Sequence, residues 1–482
     1  MRFIDAFAAL ALAASVAACT DSAEPTSDNP PAFSEGSSAS DQSTGRHIVK
    51  FNGAPLANFV EQVEALGGRV DWTGAGLASL SGLNASAKDV LAARMDVALI
   101  IDDPALAIDQ PFGVTSPEAV SLDAPQSPAA PQTAAFFARQ WHLRAVGAQT
   151  AWAAGNLGSS SVTAYILDSG INSTHADLAG LVDLAKSVDL LGTFNRQVTI
   201  GGVPTVVPFT EADTVAKYFP GAHPSTDLFY HGTHVAATVS SNALAAAGVT
   251  SRTRLVAVKV CAYLNTCPLS SVLQGVVYAA DNGADIVNMS LGGSFAKGGN
   301  GTYVGLINDA FNYAASKGTT IVVAAGNSAI DLDRNKSSYS TYCNAPGVIC
   351  VSATGPTASA GVNGPWTNVD APAPYTNYGR SAIDVAAPGG TNPGPVWAAC
   401  SRTSLLIPVC QTGTYIVGLG GTSMASPHVT GTAAMLVPTL GRNPVAIQDR
   451  LTDTADDLGQ TGTDPYYGKG RLNVARAVGA IP

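Results

Sequence analysis

The chain has 482 residues, of which 12% are charged and 49 are glycine. This composition suits a loop-rich globular protein with a sizeable core and excludes a largely disordered chain. The formal net charge of -10 reflects 35 acidic against 25 basic residues, so no basic surface for nucleic acid is expected.

Residues 1–19 have the composition of an export signal. Arg2 precedes an apolar run that is too short to span a bilayer as a stable helix. The run ends in V-A-A-C, which resembles a bacterial lipobox in which the signal is cut before Cys19 and that thiol is lipidated. Ordinary signal cleavage near Ala17 or Ala18 is the alternative. Residues 20–45 are rich in Ser, Asp, Pro and Glu and predict a disordered linker.

Residues 46–110 predict a small α+β domain. Alternating strand-like runs and two helical stretches follow one another in the order β-α-β-β-α-β, which is typical of a ferredoxin-like unit. Residues 111–137 are again rich in Pro and Ala and have no hydrophobic period, so they predict an exposed connector that is open to cleavage.

Residues 138–482 predict a three-layer α/β domain with a mostly parallel sheet. Short Val- and Ile-rich runs end in turn signals and alternate with helical stretches, as buried parallel strands do. Such sheets place their sites at the carboxyl ends of the strands. Residues that come directly after a predicted strand are therefore the first candidates for a functional site.

Six cysteines remain when Cys19 is set aside, and they fall into three pairs of close sequence neighbours. This pattern suits disulfides formed in an oxidising compartment. Nearest-neighbour pairing predicts Cys261–Cys267, Cys343–Cys350 and Cys400–Cys410, although six cysteines allow 15 connectivities. A zinc site is disfavoured because no C-x-x-C pair or histidine cluster accompanies them.

Three short segments place an acid, an imidazole and a hydroxyl at strand ends or helix starts. They are D-S-G at Asp168, H-G-T-H-V-A at His231 and G-T-S-M-A-S-P-H around Ser423. A serine hydroxyl becomes a useful nucleophile when an imidazole takes its proton, and a carboxylate must hold that imidazole in the right tautomer. Each segment alone more often marks a cap or a tight turn. Only the combination indicates nucleophilic catalysis.

Together the three segments resemble the motifs of the subtilases, the subtilisin-like serine peptidases. The Asp-His-Ser order along the chain is the known order of that family. The resemblance covers about residues 141–477 and implies a subtilisin-like fold in which Ser423 is the nucleophile, His231 the base and Asp168 the orienting acid. It also implies a serine endopeptidase that acts on proteins or peptides and needs no cofactor for catalysis.

The choice of His231 over His234 follows the family pattern, which places the base at the first histidine of the motif. His428 is interpreted as structural. The remaining histidines lie in no motif that would supply a catalytic partner: His47, His142, His175 and His223.

Two further segments match the family. A-A-G-N ends a predicted strand, and its Asn327 is the expected side-chain donor to an oxyanion. The segment Ser290, Leu291 and Gly292 resembles the strand that lies beside the bound peptide, and Ala324, Ala325 and Gly326 are expected to complete the pocket wall.

By the same resemblance, residues 46–110 are an inhibitory propeptide that self-cleavage removes somewhere between 105 and 137. Structural calcium is expected but unassigned, because family members often bind it between the acid and the base. Glu211, Asp213 and Asp227 are the acidic residues of this region that could supply oxygen ligands. The stretch between Asp168 and His231 is long, which suggests an inserted pair of loops at 187–227. The expected protein is an exported monomer, secreted or attached to the cell envelope, with a lipid anchor as its only link to a membrane.

The sequence disfavours three other functions. An α/β-hydrolase esterase requires G-x-S-x-G with its histidine last in the chain, which is not the order here. A catalytically dead binding protein is disfavoured because every catalytic position is filled. A phosphate-binding loop at G-L-G-G before Ser423 lacks the lysine and the G-x-G-x-x-G context.

Overall fold

The computed structural model describes residues 43–106, 108, 113–121, 127–335, 338–340 and 342–482. The predictions for the export signal and Cys19, and for residues 20–42 of the linker, lie outside the described residues. The linker prediction was too long at its end, since residues 43–45 already belong to the first strand.

The helices of the described residues are α1 Phe59–Ala65, α2 Ala85–Ala92, α3 Trp141–Ala145, α4 Ala148–Ala153, α5 Glu211–Tyr218, α6 His231–Val239, α7 Leu269–Asp281, α8 Gly301–Ser316, α9 Thr422–Leu440, α10 Pro444–Asp453 and α11 Val474–Ala477. The strands are β1 Ser43–Phe51, β2 Arg69–Gly74, β3 Leu77–Ser81, β4 Val97–Leu106, β5 Glu118–Ala119, β6 Thr163–Asp168, β7 Val188–Asp189, β8 Thr193–Ile200, β9 Val203–Thr210, β10 Arg254–Lys259, β11 Cys267–Pro268, β12 Ile286–Met289, β13 Ser294–Ala296, β14 Thr320–Ala324, β15 Ser338–Ser340, β16 Val348–Thr354, β17 Ala358–Ser359, β18 Trp366–Thr367, β19 Val385–Pro388, β20 Val396–Ala399 and β21 Tyr415–Leu419.

The N-terminal region has the predicted β-α-β-β-α-β order. Its strands form an antiparallel sheet in the order β4-β1-β3-β2, which is the ferredoxin-like arrangement. The helices cover one face of this sheet, and Phe51, Phe59, Val63 and Leu91 form its small core. Asn84 caps α2 by accepting a hydrogen bond from the Ala87 N–H. We call this region, 43–106, the N-terminal domain.

The larger region is built on a seven-stranded sheet in the order β19-β16-β14-β12-β6-β10-β7, and its paired strands are all parallel. Two apolar cores fill the two faces, one against α7 and α8 and the other against α9 and α10. The three-layer α/β prediction is therefore confirmed. The chain steps from β6 to β10 on one side and then crosses to β12 on the other, so the strand order reverses at β6, where parallel sheets place their sites.

Two parts of this architecture differ from the sequence prediction. Strand β16 was not predicted, because Cys350 and Ser352 interrupt its apolar run, yet the whole strand is buried between β14 and β19. The connector is not simply exposed chain. Its residues Glu118 and Ala119 pair with β21, whose edge offers unpaired backbone groups, and the Val120 N–H donates to the Thr414 carbonyl.

The inserted segment between β6 and α6 contains the β8–β9 hairpin followed by α5. A buried ion pair fastens it to the central sheet, with Lys259 Nζ of β10 lying 2.8 Å from Glu211 Oε1 and both side chains fully buried. Glu211 also accepts a hydrogen bond from the Tyr263 N–H. Burial raises the pKa of Glu211 to about 7, while Lys259 opposes that shift.

Three disulfides join sequence neighbours: Cys261–Cys267, Cys343–Cys350 and Cys400–Cys410. Each closes a loop of 10 residues or fewer, so each restrains one local loop of the larger region. Within the described ranges, no helix combines the length and the hydropathy needed to cross a membrane.

Candidate active site

Asp168 and His231 meet where β6 ends and α6 begins. The His231 Nδ1 lies 2.8 Å from Asp168 Oδ1, and both side chains are fully buried. The same carboxylate oxygen accepts a hydrogen bond of 2.7 Å from the Ser169 N–H. Since the carboxylate can only accept, Nδ1 carries the imidazole proton and Nε2 is left as an acceptor. His231 Nε2 makes no hydrogen bond to the described residues, so it is available for a proton from substrate chemistry.

Ser423 is the second residue of α9 and is only 2% exposed. Its Oγ lies 3.3 Å from the Ser290 carbonyl and donates to it, while the Ser290 Oγ donates to the Ser423 carbonyl at 2.8 Å. Ser423 is thereby held against the end of β12. In the role expected from the sequence, its hydroxyl would rotate away from Ser290 towards an imidazole, and catalytic hydrogen bonds often tighten only when substrate is bound.

Asn327 follows β14 and is oriented by the start of α9. Its Oδ1 accepts hydrogen bonds of 2.8 Å from both the N–H and the Oγ1 of Thr422, the residue before Ser423. Because Oδ1 is committed in this way, the donor end of the side chain is Nδ2. A donor amide is therefore fixed close to the nucleophile, as an oxyanion-binding role requires.

Asn288 is a part of the site that the sequence analysis missed. Its Nδ2 donates to Ser290 Oγ at 3.0 Å, and its Oδ1 accepts from Ser426 at 2.7 Å and from Thr430 at 2.8 Å. These bonds tie β12 to α9 directly beneath Ser423. The signal in the sequence was a polar residue in the middle of the apolar run I-V-N-M, since buried polar groups are retained only when they are hydrogen-bonded.

The two predicted wall segments lie side by side because they follow the neighbouring parallel strands β12 and β14. The backbone of Ala325 and Gly326 is already paired: the Ala325 N–H donates to Val351, and Asn377 donates to both of their carbonyls. This segment can therefore line a pocket but not pair with a peptide backbone. Ser290, Leu291 and Gly292 remain the candidates for that pairing.

The other histidines near the site are buried and neutral. His234 Nε2 donates to the Val396 carbonyl at 3.1 Å, and burial lowers the pKa of His234 to about 3. His428 Nδ1 donates to the Met424 carbonyl at 2.8 Å, which leaves its Nε2 to accept from His142 Nδ1, also at 2.8 Å. Burial lowers the pKa of His428 to about 4 and that of His142 well below its usual range.

This histidine pair predicts acid sensitivity. In the unfolded chain these rings bind protons below about pH 6.5, whereas the folded state keeps them neutral, so stability is lost as the pH falls from there towards the folded pKa values. Each of the two rings should lower the free energy of unfolding by about 2 kcal/mol between about pH 6.5 and pH 5. Urea unfolding of Ser423→Ala protein at both pH values measures the loss, and His428→Gln should show a shallower pH dependence. His223→Gln, which changes a partly exposed ring, is the control; an unaltered slope in His428→Gln would contradict the assignment.

The structure does not bring together the acids considered for calcium. Glu211 is paired with Lys259, Asp227 is fully buried among hydrogen-bond donors, and Asp213 lies on the exposed side of α5. In the part of the chain that the structure describes, no group of three or more His, Cys, Asp or Glu side chains could hold a metal ion. Two of these oxygen donors serve the protein's own polar contacts, so calcium stays unassigned by residue.

Comparison with known proteins agrees with this geometry. The model of the subtilase family (Peptidase S8) matches residues 159–470. Thermitase of Thermoactinomyces vulgaris is 32% identical over 346 residues, which cover 71% of this chain and 97% of thermitase. The extracellular protease of Xanthomonas campestris pv. campestris is 32% identical over 325 residues, which cover 62% of this chain and 48% of that protein.

Among solved structures, the epidermin leader peptide processing serine protease of Staphylococcus aureus superimposes with a TM-score of 0.66 at 19% identity, covering 91% of this chain and 98% of that one. That coverage exceeds what residues 138–482 alone supply, so the shared fold includes part of the N-terminal region. The family match spans most of the chain, and the chain covers nearly all of thermitase. The protein therefore belongs to the subtilase family of serine proteases.

Proposed function

We propose that this subtilase is an exported endopeptidase that is made as a precursor and processes itself. The observation that carries the proposal is the buried Asp168–His231 pair at the end of β6, together with the Asn327 amide that is fixed to the helix start carrying Ser423. Ser423 attacks the peptide carbonyl while His231 Nε2 takes its proton and then delivers it to the leaving amine. A water molecule, deprotonated by His231, then attacks the acyl-enzyme carbonyl, and the second product leaves as Ser423 regains its proton.

The tetrahedral intermediate carries a negative oxygen that the site must bind. Two donors are in place for it: the Asn327 Nδ2 and the Ser423 N–H, which lies in the first turn of α9 and has no partner within the helix. The Asp168 carboxylate accepts the Nδ1–H hydrogen bond and stabilises the positive charge that His231 gains in the same step. These residue roles account for acyl transfer without any cofactor.

The N-terminal domain is proposed as the inhibitory propeptide. It extends its sheet onto the larger region, because β4 pairs with β11. Its Asp103 is fully buried and caps α7, accepting hydrogen bonds from the Ser270 N–H at 2.8 Å and from the Ser270 Oγ at 2.6 Å. The domain is thus joined to the larger region by a shared sheet and by a buried carboxylate, which supports its proposed role as an inhibitor that stays bound in the precursor.

Self-cleavage is proposed between two residues at which the connecting segment is fixed to the larger region. On one side the Ile108 N–H donates to Asn265 Oδ1, and on the other Thr115 hydrogen-bonds to Gly418, five residues before the nucleophile. The cut is therefore proposed in the part of the predicted interval that lies between Ile108 and Thr115.

Export is supported by the signal-like residues 1–19 and by three disulfides, which form in oxidising compartments. The related Xanthomonas enzyme is named an extracellular protease. Lipidation at Cys19 is proposed as a temporary anchor, because self-cleavage after Ile108 releases the enzyme from it. The mature enzyme is proposed to be monomeric, with structural calcium at a site yet to be located.

The decisive experiment compares the intact mass of wild-type protein with that of Ser423→Ala, each expressed with its export signal. Wild type is expected to lose roughly its first hundred residues, while the variant stays a precursor because it lacks the nucleophile. Identical trimming of both proteins would mean that another protease matures the chain. Untrimmed wild type would contradict self-processing.

A further inference from the structure

Behind the acid and the base lies a second buried carboxylate, that of Asp227. It sits four residues before His231, is fully buried, and makes no contact with the groups that react. We infer that Asp227 and Ser169 are positioning residues that hold Asp168 and His231 in register. The inference rests on the proposed catalytic roles of those two residues.

The Asp227 carboxylate collects donors from both elements that carry the catalytic pair. From the end of β6, the Ser169 Oγ donates to Oδ1 at 2.9 Å. From the start of α6, the Thr233 N–H and Oγ1 donate to Oδ2 at 2.9 and 2.6 Å. A single side chain therefore fixes the strand that presents Asp168 to the helix that presents His231.

Ser169 completes the connection. Its Oγ donates to Asp227 and accepts a hydrogen bond of 3.0 Å from the Gly232 N–H, the residue after the base. The backbone N–H of the same serine donates to Asp168 Oδ1. One residue thus touches the acid, the backbone next to the base, and the second carboxylate.

The catalytic acid depends on this arrangement because little else holds it. Its Oδ1 receives the hydrogen bonds from Ser169 and His231, whereas its Oδ2 is buried without a hydrogen-bond partner among the described residues. The orientation of Asp168 is therefore set by the backbone at Ser169 and by the imidazole that it must itself orient. Without Asp227, the link between the two elements would lose three hydrogen bonds and rely on the Gly232 N–H bond to Ser169 Oγ and the Asn172 N–H bond to Thr233 Oγ1.

Asp227 is anchored independently of the active site. Its backbone carbonyl accepts hydrogen bonds from Ser401 Oγ at 2.6 Å and from Thr403 Oγ1 at 2.8 Å. The position of the carboxylate is consequently fixed by contacts outside the active site, and both β6 and α6 are hydrogen-bonded to it. Small displacements of catalytic groups are costly to turnover, so loosening these hydrogen bonds should appear in kcat rather than in substrate binding.

The test uses the self-processed enzyme with active sites titrated by an acylating inhibitor and a chromogenic peptide anilide as substrate. Ser169→Ala is expected to lower kcat about 10-fold with KM within about twofold. Ser241→Ala is the matched control: its hydroxyl is equally buried, donates to the Ala246 carbonyl and accepts from the Ala243 N–H, but lies at the far end of α6. It should match wild type in kcat.

Asp227→Asn provides a readout that loss of stability cannot imitate. Burial raises the pKa of Asp227 to about 6 against the hydrogen bonds from Thr233 and Ser169, so the side chain carries its charge above that pH. Removing this charge near His231 disfavours the imidazolium, so the acid limb of the kcat/KM profile should move to lower pH in Asp227→Asn, and by more than in Ser169→Ala, which keeps the carboxylate. The effect of Asp227→Asn on kcat should also shrink in the Ser169→Ala background, because the two residues act together.

Wild-type kinetics and an unshifted pH profile in both variants would overturn the inference while leaving the proposed protease activity intact. If Ser169→Ala does not fold, the isosteric Asp227→Asn decides alone. A wild-type chain that neither processes itself nor cleaves the anilide would instead refute the proposed function.

Discussion

Replacing His231 by Ala is expected to lower kcat by about a million-fold, the scale seen when the base of a serine protease triad is removed. The structure gives the reason, because His231 is the histidine that both contacts Asp168 and keeps a free Nε2 in the site. Active-site titration is not possible in this variant, so turnover is measured by long incubation of purified protein whose folding has been checked by thermal unfolding.

His234→Gln is the control for this experiment. The His234 Nε2 is already donating to Val396, and a glutamine amide can replace that bond. We expect kcat within about 10-fold of wild type and some loss of stability. If activity were lost with His234 and kept without His231, the assignment of the base would be reversed.

The second large effect is expected for Asn327→Ala, with kcat reduced by about 100- to 1000-fold and KM little changed. The lost donor is needed when the oxyanion forms, so substrate binding is not its main contribution. Steady-state kinetics on titrated enzyme measure the effect. A normal rate would remove Asn327 from the oxyanion site.

Asn327 also anchors Thr422, and Asn327→Asp separates the two roles. The aspartate keeps an oxygen for the N–H and Oγ1 of Thr422 but replaces the donor by a negative charge. If the donor matters, kcat of Asn327→Asp should be no higher than kcat of Asn327→Ala. Recovery of activity with Asp would show that the loss came from the anchor.

Much of the fold and site could be predicted because the signals are local. Apolar runs that end at Asp168, Ser290 and Asn327 predicted parallel strands, and their carboxyl ends do meet at one edge of the sheet. What the sequence could not show depends on contacts between distant residues. The bond from Ser169 to Asp227 joins residues 58 apart, and the bonds from Asn288 to α9 span more than 130 residues.

The same reason explains the errors. Acidic residues in the inserted loop have the oxygen atoms that a cation needs, but only the fold shows that Glu211 is paired with Lys259 and that Asp227 accepts hydrogen bonds from Thr233. The connector has no hydrophobic period because its two-residue strand is held by backbone hydrogen bonds to β21, which are independent of side-chain pattern.

The sheet of the N-terminal domain does not stop at the domain boundary, since β11 of the larger region is its fifth strand. Separation of the two parts must break this shared sheet and expose Ala105 and Leu106, which are buried here opposite Pro268 and Cys267. The departing domain then carries a frayed, apolar strand end, the kind of unpaired segment that a protease readily takes into an extended-peptide site. We therefore expect the proposed release to be a one-way event, completed when the freed enzyme digests the domain proposed as its inhibitor.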